Sequence, residues 1–275
     1  MAFVRELLST DSRSRIEEWV RARTMAVAMP SGDTLCRVLG QYMFVVTLDD
    51  LSVAPHLVMH GYWEMWVSMC LAKRVKPGWH CIDVGANFGY YTVLLGELVG
   101  ESGNVQAWEP SLDVCKRLEQ TVLLAGMHER TTVLNQAAGV QEMQVRLVRQ
   151  PRDYGGASVS RHYTEGLSAK QELVHQLPLS RTTLARVDFV KIDAEGMEPE
   201  IWQSLGDHRP QAAVIEWSPK RYAEPIAFLD LLVEQGYRIG SINQHGDVDF
   251  HEPDALYAEL ARELDWRALW LERRA

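Results

Sequence analysis

The chain has 275 residues, 47% of them hydrophobic, a formal net charge of -9 and a pI near 5.5. That size and apolar content support one large α/β core with an N-terminal annex, and the acidic balance argues against coating phosphate backbones, since such affinity comes from clustered Lys and Arg. Cysteines at 36, 70, 81 and 115 form no C-x-x-C pair and no regular spacing, which indicates neither a zinc site nor a disulfide framework and fits reduced thiols in a cytoplasmic protein.

Residues 1–25 place apolar residues at helical spacing among charges and have no long uncharged run, the pattern of a soluble amphipathic helix, not of a signal peptide or membrane span. "TLCRVLGQYMFVVTLDD" then reads as a hairpin turning at Gly40. These pieces set the expected annex, residues 1–62, apart from a core over 63–275. The core opens with a helix, "WEMWVSMCLAKRVKPG", stopped by Pro-Gly. From there strand-like runs alternate with helical patterns. The strands are "HCIDVG", "NVQAWEP", "TTVLNQAAG", "VDFVKIDAEG", "AAVIEWSP" and "YRIGSINQ", with a last strand in "RALWLERR" beside the sixth. Such alternation predicts a mostly parallel, doubly wound sheet with ligands at the carboxyl ends of its strands. The segment from Arg149 to about Gln176 is polar, carries the Gly155-Gly156 pair and is too long for an ordinary connection, so it is expected to be an acceptor-side lid.

The turn in "HCIDVGANFGYYT" narrows the ligand. A dinucleotide fingerprint starting at Gly85 needs glycine at 87 and 90, where Asn87 and Tyr90 stand, and no Gly-Lys-Ser/Thr follows to make a phosphate-binding loop. What stands there is Asp83-x-Gly85-x-x-x-Gly89 between strand and helix, with Glu109 closing the next strand. This resembles the first motif of class I S-adenosylmethionine-dependent methyltransferases. A carboxylate at Glu109 has lone pairs enough to accept both ribose hydroxyl protons.

The flanking text sharpens the resemblance. "GYWE", "DVGANFGYYT", "WEPS", "NQAAG", "VDFVKIDAEGMEPEIWQSL" and "VIEW", in that order from about Gly61 to Trp217, resemble the FkbM-type methyltransferase family. The resemblance implies a Rossmann-like class I methyltransferase core with S-adenosylmethionine as methyl donor, and a small-molecule or saccharide hydroxyl as the usual acceptor. It places Asp83, Gly85, Asn87 and Gly89, with Ala86 and Phe88 between them, at the methionine end of the cofactor. Glu109 and Pro110 go to the ribose, and Gln136 and Ala137 to the adenine rim. Glu64, on another helix face between Trp63 and Trp66, reads either as reaching the cofactor's amino end or as an exposed helix residue. "Pro-Glu" after Glu198 and the polar lid depart from the commoner pattern and bear on the acceptor.

The "KIDAEG" block falls at the methyl-transfer end. Period-two alternation puts Lys191 and Asp193 on one side of their strand, and Glu216 on the following strand is the expected partner of the Lys191 ammonium. Asp193 or Glu195 is the expected base, with Lys191 and Glu216 beside them. A divalent cation held by Asp193, Glu195 and Glu216 is a second route to the same end, less favoured because their spacing is not diagnostic. His162, His175 and His245 read as solvated loop residues. The expected activity is O-methylation of a sugar, glycan or secondary metabolite, without nucleic-acid or membrane partners. A non-catalytic S-adenosylmethionine-binding module and a methyltransferase of RNA or protein are the alternatives.

Overall fold

The computed structural model describes residues 3–10, 12–160, 170–263 and 266–274. Two helices, α1 (Phe3–Thr10) and α2 (Arg13–Arg21), open the annex in place of the single helix expected. The extended backbone of Ser12 starts α2 afresh, and each helix buries its own apolar pair, Val4 with Leu8 and Ile16 with Val20. The hairpin is a three-stranded antiparallel sheet of β1 (Ala26–Ala28), β2 (Thr34–Val38) and β3 (Tyr42–Val46). A helix the sequence reading passed over, α3 (Ala54–His60), follows and ends at left-handed Gly61. Buried side chains of the annex and of the first core helices form one continuous apolar cluster, from Val4 and Val20 to Leu95 and Leu118.

The core begins with α4 (Met65–Arg74), β4 (His80–Val84), α5 (Tyr90–Val99), β5 (Asn104–Trp108), α6 (Leu112–Leu124) and β6 (Thr131–Leu134). Next come the short β7 (Ala137–Ala138), β8 (Met143–Arg149), β9 (Ser158–Ser160) and β10 (Lys170–Leu177). The chain then returns to the core in β11 (Phe189–Ile192), α7 (Glu198–Gln203), β12 (Ala212–Trp217), α8 (Pro225–Glu234) and β13 (Tyr237–Ile242). It finishes with β14 (Val248–His251), α9 (Pro253–Glu263) and β15 (Arg267–Arg273).

Eight strands form the central sheet in the order β14-β13-β15-β12-β11-β4-β5-β6. Neighbours from β12 across to β6 run parallel, and β15 inserts antiparallel to both β12 and β13. Helix-connected parallel strands with the order reversing at β4 make this a Rossmann-like sheet whose switch point lies between β4 and β11, where ligands of such sheets sit. A second sheet, β7-β10-β8-β9, takes up much of the segment expected to be a loop-like lid. Its strands alternate, so Leu147 and Val174 turn inward onto Ala137 while Arg146 and Leu173 turn out. Few apolar residues suffice for so small a sheet, which is why the segment reads as polar. The expected lid residue His162 lies outside the described residues.

Candidate active site

A cavity of about 410 Å³ opens at the carboxyl ends of β4, β5, β11 and β12. Its floor is the turn after β4, where Gly85, Asn87 and Gly89 all adopt positive φ, +74°, +50° and +95°. The amides of Gly85 and Ala86 donate to the Trp108 carbonyl, lashing the turn to β5. A Cβ at Gly85 would lie 1.9 Å from the Asp193 carbonyl oxygen, so this glycine lets the turn touch the end of β11. Gly85, Ala86, Asn87 and Phe88 face the cavity. Gly89 packs behind the wall against Leu118, and Asp83, fully buried beneath the turn, accepts from the Thr92 hydroxyl at 2.6 Å. Asp83 therefore bears on the cavity through the turn and α5, not as one of the lining residues.

Glu109 lines the cavity next to Pro110. Each of its oxygens takes one backbone N–H, Oε2 from Asn87 and Oε1 from Ser111, both at 2.9 Å, which leaves lone pairs on both. Burial pushes this carboxyl up to about 7, against those two hydrogen bonds, which favour the charged form. Gln136, Ala137 and Ala138 continue the wall, with Leu147 from the second sheet.

On the other side stand Lys191, Asp193, Glu195 and Glu216, all lining the cavity. The expected Lys191–Glu216 pair is corrected by the structure: the Lys191 ammonium binds Asp193 Oδ2 at 2.9 Å. Parallel register sets Lys191 opposite Val214, so Glu216 lies two residues further toward the carboxyl ends, level with Asp193. Lys191 is almost wholly buried and stacks 4.6 Å over the Tyr91 ring, whereas 30% of the Asp193 side chain is exposed. Burial works against the ammonium, but the charges of Asp193 and Asp83 outweigh it and raise the Lys191 pKa. Glu216 is also raised, first by burial and then by the charge of Asp193. Carboxylate oxygens of Asp193, Glu195 and Glu216 lie within 4.8 Å of one another, close enough to share a cation, though Glu195 Oε2 is engaged by the Arg221 guanidinium. Glu64 sits one layer back and accepts from the Tyr91 hydroxyl at 2.6 Å; burial pushes it up to about 7.

Several residues in and behind the wall escaped the sequence reading. Glu198, fully buried, accepts from the amides of Ala194 and Gly196 and from the Tyr222 hydroxyl, pinning the loop that carries Glu195. An acid in the first turn of a helix was the available signal. Ser52, Val53 and Leu57 of the annex also line the cavity, and no local pattern marks them, whereas Tyr154 to Ala157, which line it too, fall in the segment expected to be an acceptor-side lid. All four cysteines are free and buried. Among the described residues no helix is long and apolar enough to cross a membrane.

Solved structures similar to the chain include the O-methyltransferase from Bacillus cereus in complex with SAH, 13% identical over 80% of this chain and 86% of that one, with a TM-score of 0.47. TYW2 from M. jannaschii in complex with AdoMet is 13% identical over 88% and 87%, with a TM-score of 0.47. Precorrin-6y C5,15-methyltransferase from Geobacter metallireducens is 13% identical over 84% and 97%, with a TM-score of 0.44. No curated protein matches the chain. The methyltransferase FkbM domain matches residues 83–239, more than half the chain, from the Asp83 beneath the turn through the acidic β11 and β12 ends into β13, and the chain belongs to that family.

Proposed function

We propose that the protein transfers the methyl group of S-adenosylmethionine to a hydroxyl oxygen of a small acceptor, a sugar, glycan or secondary metabolite. The cavity suits that donor. Glu109 keeps lone pairs for a vicinal diol, Ala137, Ala138 and Leu147 offer an apolar slot beside the Gln136 amide for a flat heterocycle, and the carboxylates around Tyr91 suit a cationic centre. When bound, the cofactor supplies an electrophilic methyl group; the chain has to hold the acceptor hydroxyl in line with it and take its proton.

The observation that carries the oxygen-directed reading is the Lys191–Asp193–Glu216 arrangement on the wall facing the glycine turn. Asp193 is anchored through Oδ2 and stays accessible to a ligand, which suits it to orient a hydroxyl and accept its proton. Glu216, raised by burial and by its neighbour, suits the task of holding a proton close by. The net charge of -9 favours a small neutral acceptor over a polyanion.

Asp193→Asn keeps the shape of the side chain and removes its charge. Turnover on hydroxylated acceptors should fall about 100-fold or more, as for loss of a general base, with S-adenosylhomocysteine affinity nearly unchanged. Full turnover by Asp193→Asn would remove it from the chemistry. Chelator sensitivity of the wild type would favour a cation on Asp193, Glu195 and Glu216, and methylation of RNA alone among the acceptors offered would overturn the small-acceptor reading.

A further inference from the structure

Asp50 lies off the cavity wall and is fully buried, and its carboxylate accepts five hydrogen bonds. Oδ2 takes the amides of Val53 and Ala54 at the start of α3, at 2.8 and 2.7 Å. Oδ1 takes the amide and hydroxyl of Ser52, at 3.0 and 2.6 Å, and the amide of Tyr154, at 3.0 Å, from a segment about a hundred positions later in the chain. The Ser52 hydroxyl in turn accepts from the Gly155 amide at 2.9 Å, and the Leu51 amide donates to the Arg152 carbonyl at 2.7 Å. A Cβ at Gly155 would approach Ser52 Oγ to 2.9 Å, so glycine permits this close seam. A carboxylate so occupied has no capacity left for a ligand. Its clients do the facing: Ser52 and Val53 on one side of the seam, Tyr154 and Gly155 on the other, all line the cavity.

Tyr154 is held from three directions. Asp50 takes its amide, the Arg149 guanidinium stacks 3.4 Å over its ring, and Phe88 of the glycine turn lies 6.2 Å away between ring centroids. The seam thus presses one wall of the cavity against the turn on which the donor would lie. We infer that Asp50 is a positioning residue, whose staple of the Ser52 turn to the Tyr154–Gly155 strap closes the cavity over the bound donor and sets how long it stays. The inference rests on the reading that the cavity takes S-adenosylmethionine. A buried charge-assisted hub of this kind costs much more to break than an exposed ion pair, since each amide it releases has no other partner on the seam.

The test measures the dissociation rate of S-adenosylhomocysteine, with the melting temperature of each variant recorded alongside. Ser52→Ala removes the hydroxyl arm while leaving Asp50 to cap α3, so it remains informative if Asp50→Ala does not fold. Dissociation should quicken by about tenfold in Ser52→Ala and by more in Asp50→Ala, and Ser52→Thr, which restores the hydroxyl, should return it to within about twofold of wild type. A loss of stability without any role at the cavity would lower melting temperatures and leave the rate alone. Folded Ser52→Ala releasing ligand at the wild-type rate, or Ser52→Thr failing to rescue, overturns the staple while leaving the donor assignment intact. No S-adenosylhomocysteine binding by the wild type overturns the donor assignment, and the staple's role with it.

Discussion

At Glu109 two opposed effects meet on one carboxyl: burial raises its pKa to about 7, and the amides of Asn87 and Ser111 pull it down. The folded protein holds this proton more tightly than the unfolded chain, whose value is 4.5, so Glu109 contributes stability that is complete below pH 4.5 and is lost as pH rises through about 7. Ligand binding should run the other way. A vicinal diol donates to the carboxylate, so S-adenosylhomocysteine affinity should climb several-fold from pH 6 to pH 8, on the order of one pKa unit of coupling. Glu109→Gln should flatten both profiles, as followed by urea unfolding and by calorimetry at several pH values; an affinity profile unchanged in the variant would place the pH-sensitive group elsewhere, with Glu64 the first candidate. That an acid would stand at 109 was legible from the strand end before it. That Lys191 pairs along its own strand with Asp193 was not, because the choice between Asp193 and Glu216 depends on the register between β11 and β12.

Among the elements, the turns after β4 and β11 meet each other, and Gly85 serves that meeting. Gly85→Ala would combine a strained positive φ with a Cβ driven into the Asp193 carbonyl, while Gly236→Ala combines the same kind of strain, at φ +90°, with open space. Gly236→Ala should therefore lose about 1 to 2 kcal/mol, the cost of a left-handed conformation, and Gly85→Ala a further 1 to 3 kcal/mol of overpacking. Urea midpoints of the two variants give the difference directly, and equal losses would mean that the β4 turn does not bear on β11. The spacing of Asp83, Gly85 and Gly89 was enough to locate strand, turn and helix, since positive φ and helix start are local matters. The loop after β11 was less legible. Two successive left-handed residues, Glu195 and Gly196, are held there by Glu198 from the next helix, and since Glu198 and Glu200 share the first turn of that helix, "MEPE" does not say which of the two faces the backbone.

At the scale of the whole molecule, the central sheet is completed by the last strand described, β15, which lies between β12 and β13 and buries Leu269, Trp270 and Leu271. A chain shortened to end before Arg267 would expose two strand edges and remove those side chains, each worth about 1.5 to 3 kcal/mol when fully buried, a loss comparable to the stability of a typical domain. It should lose cooperative unfolding in urea, and a cooperative transition with an unchanged midpoint would show that the sheet closes without β15. The alternation of strands and helices, the parallel sheet and the place of the glycine turn were determined by the sequence alone, because period, turn chemistry and capping act between residues a few positions apart. The shape of the cavity was decided by the tertiary structure. Its far wall joins Ser52 to Tyr154 through one buried carboxylate, its base candidates are sorted by strand register and burial, and the segment expected to be a lid pairs into a sheet. Those contacts link positions far apart in the chain, and they exist only once burial of the surrounding apolar side chains has brought the segments together.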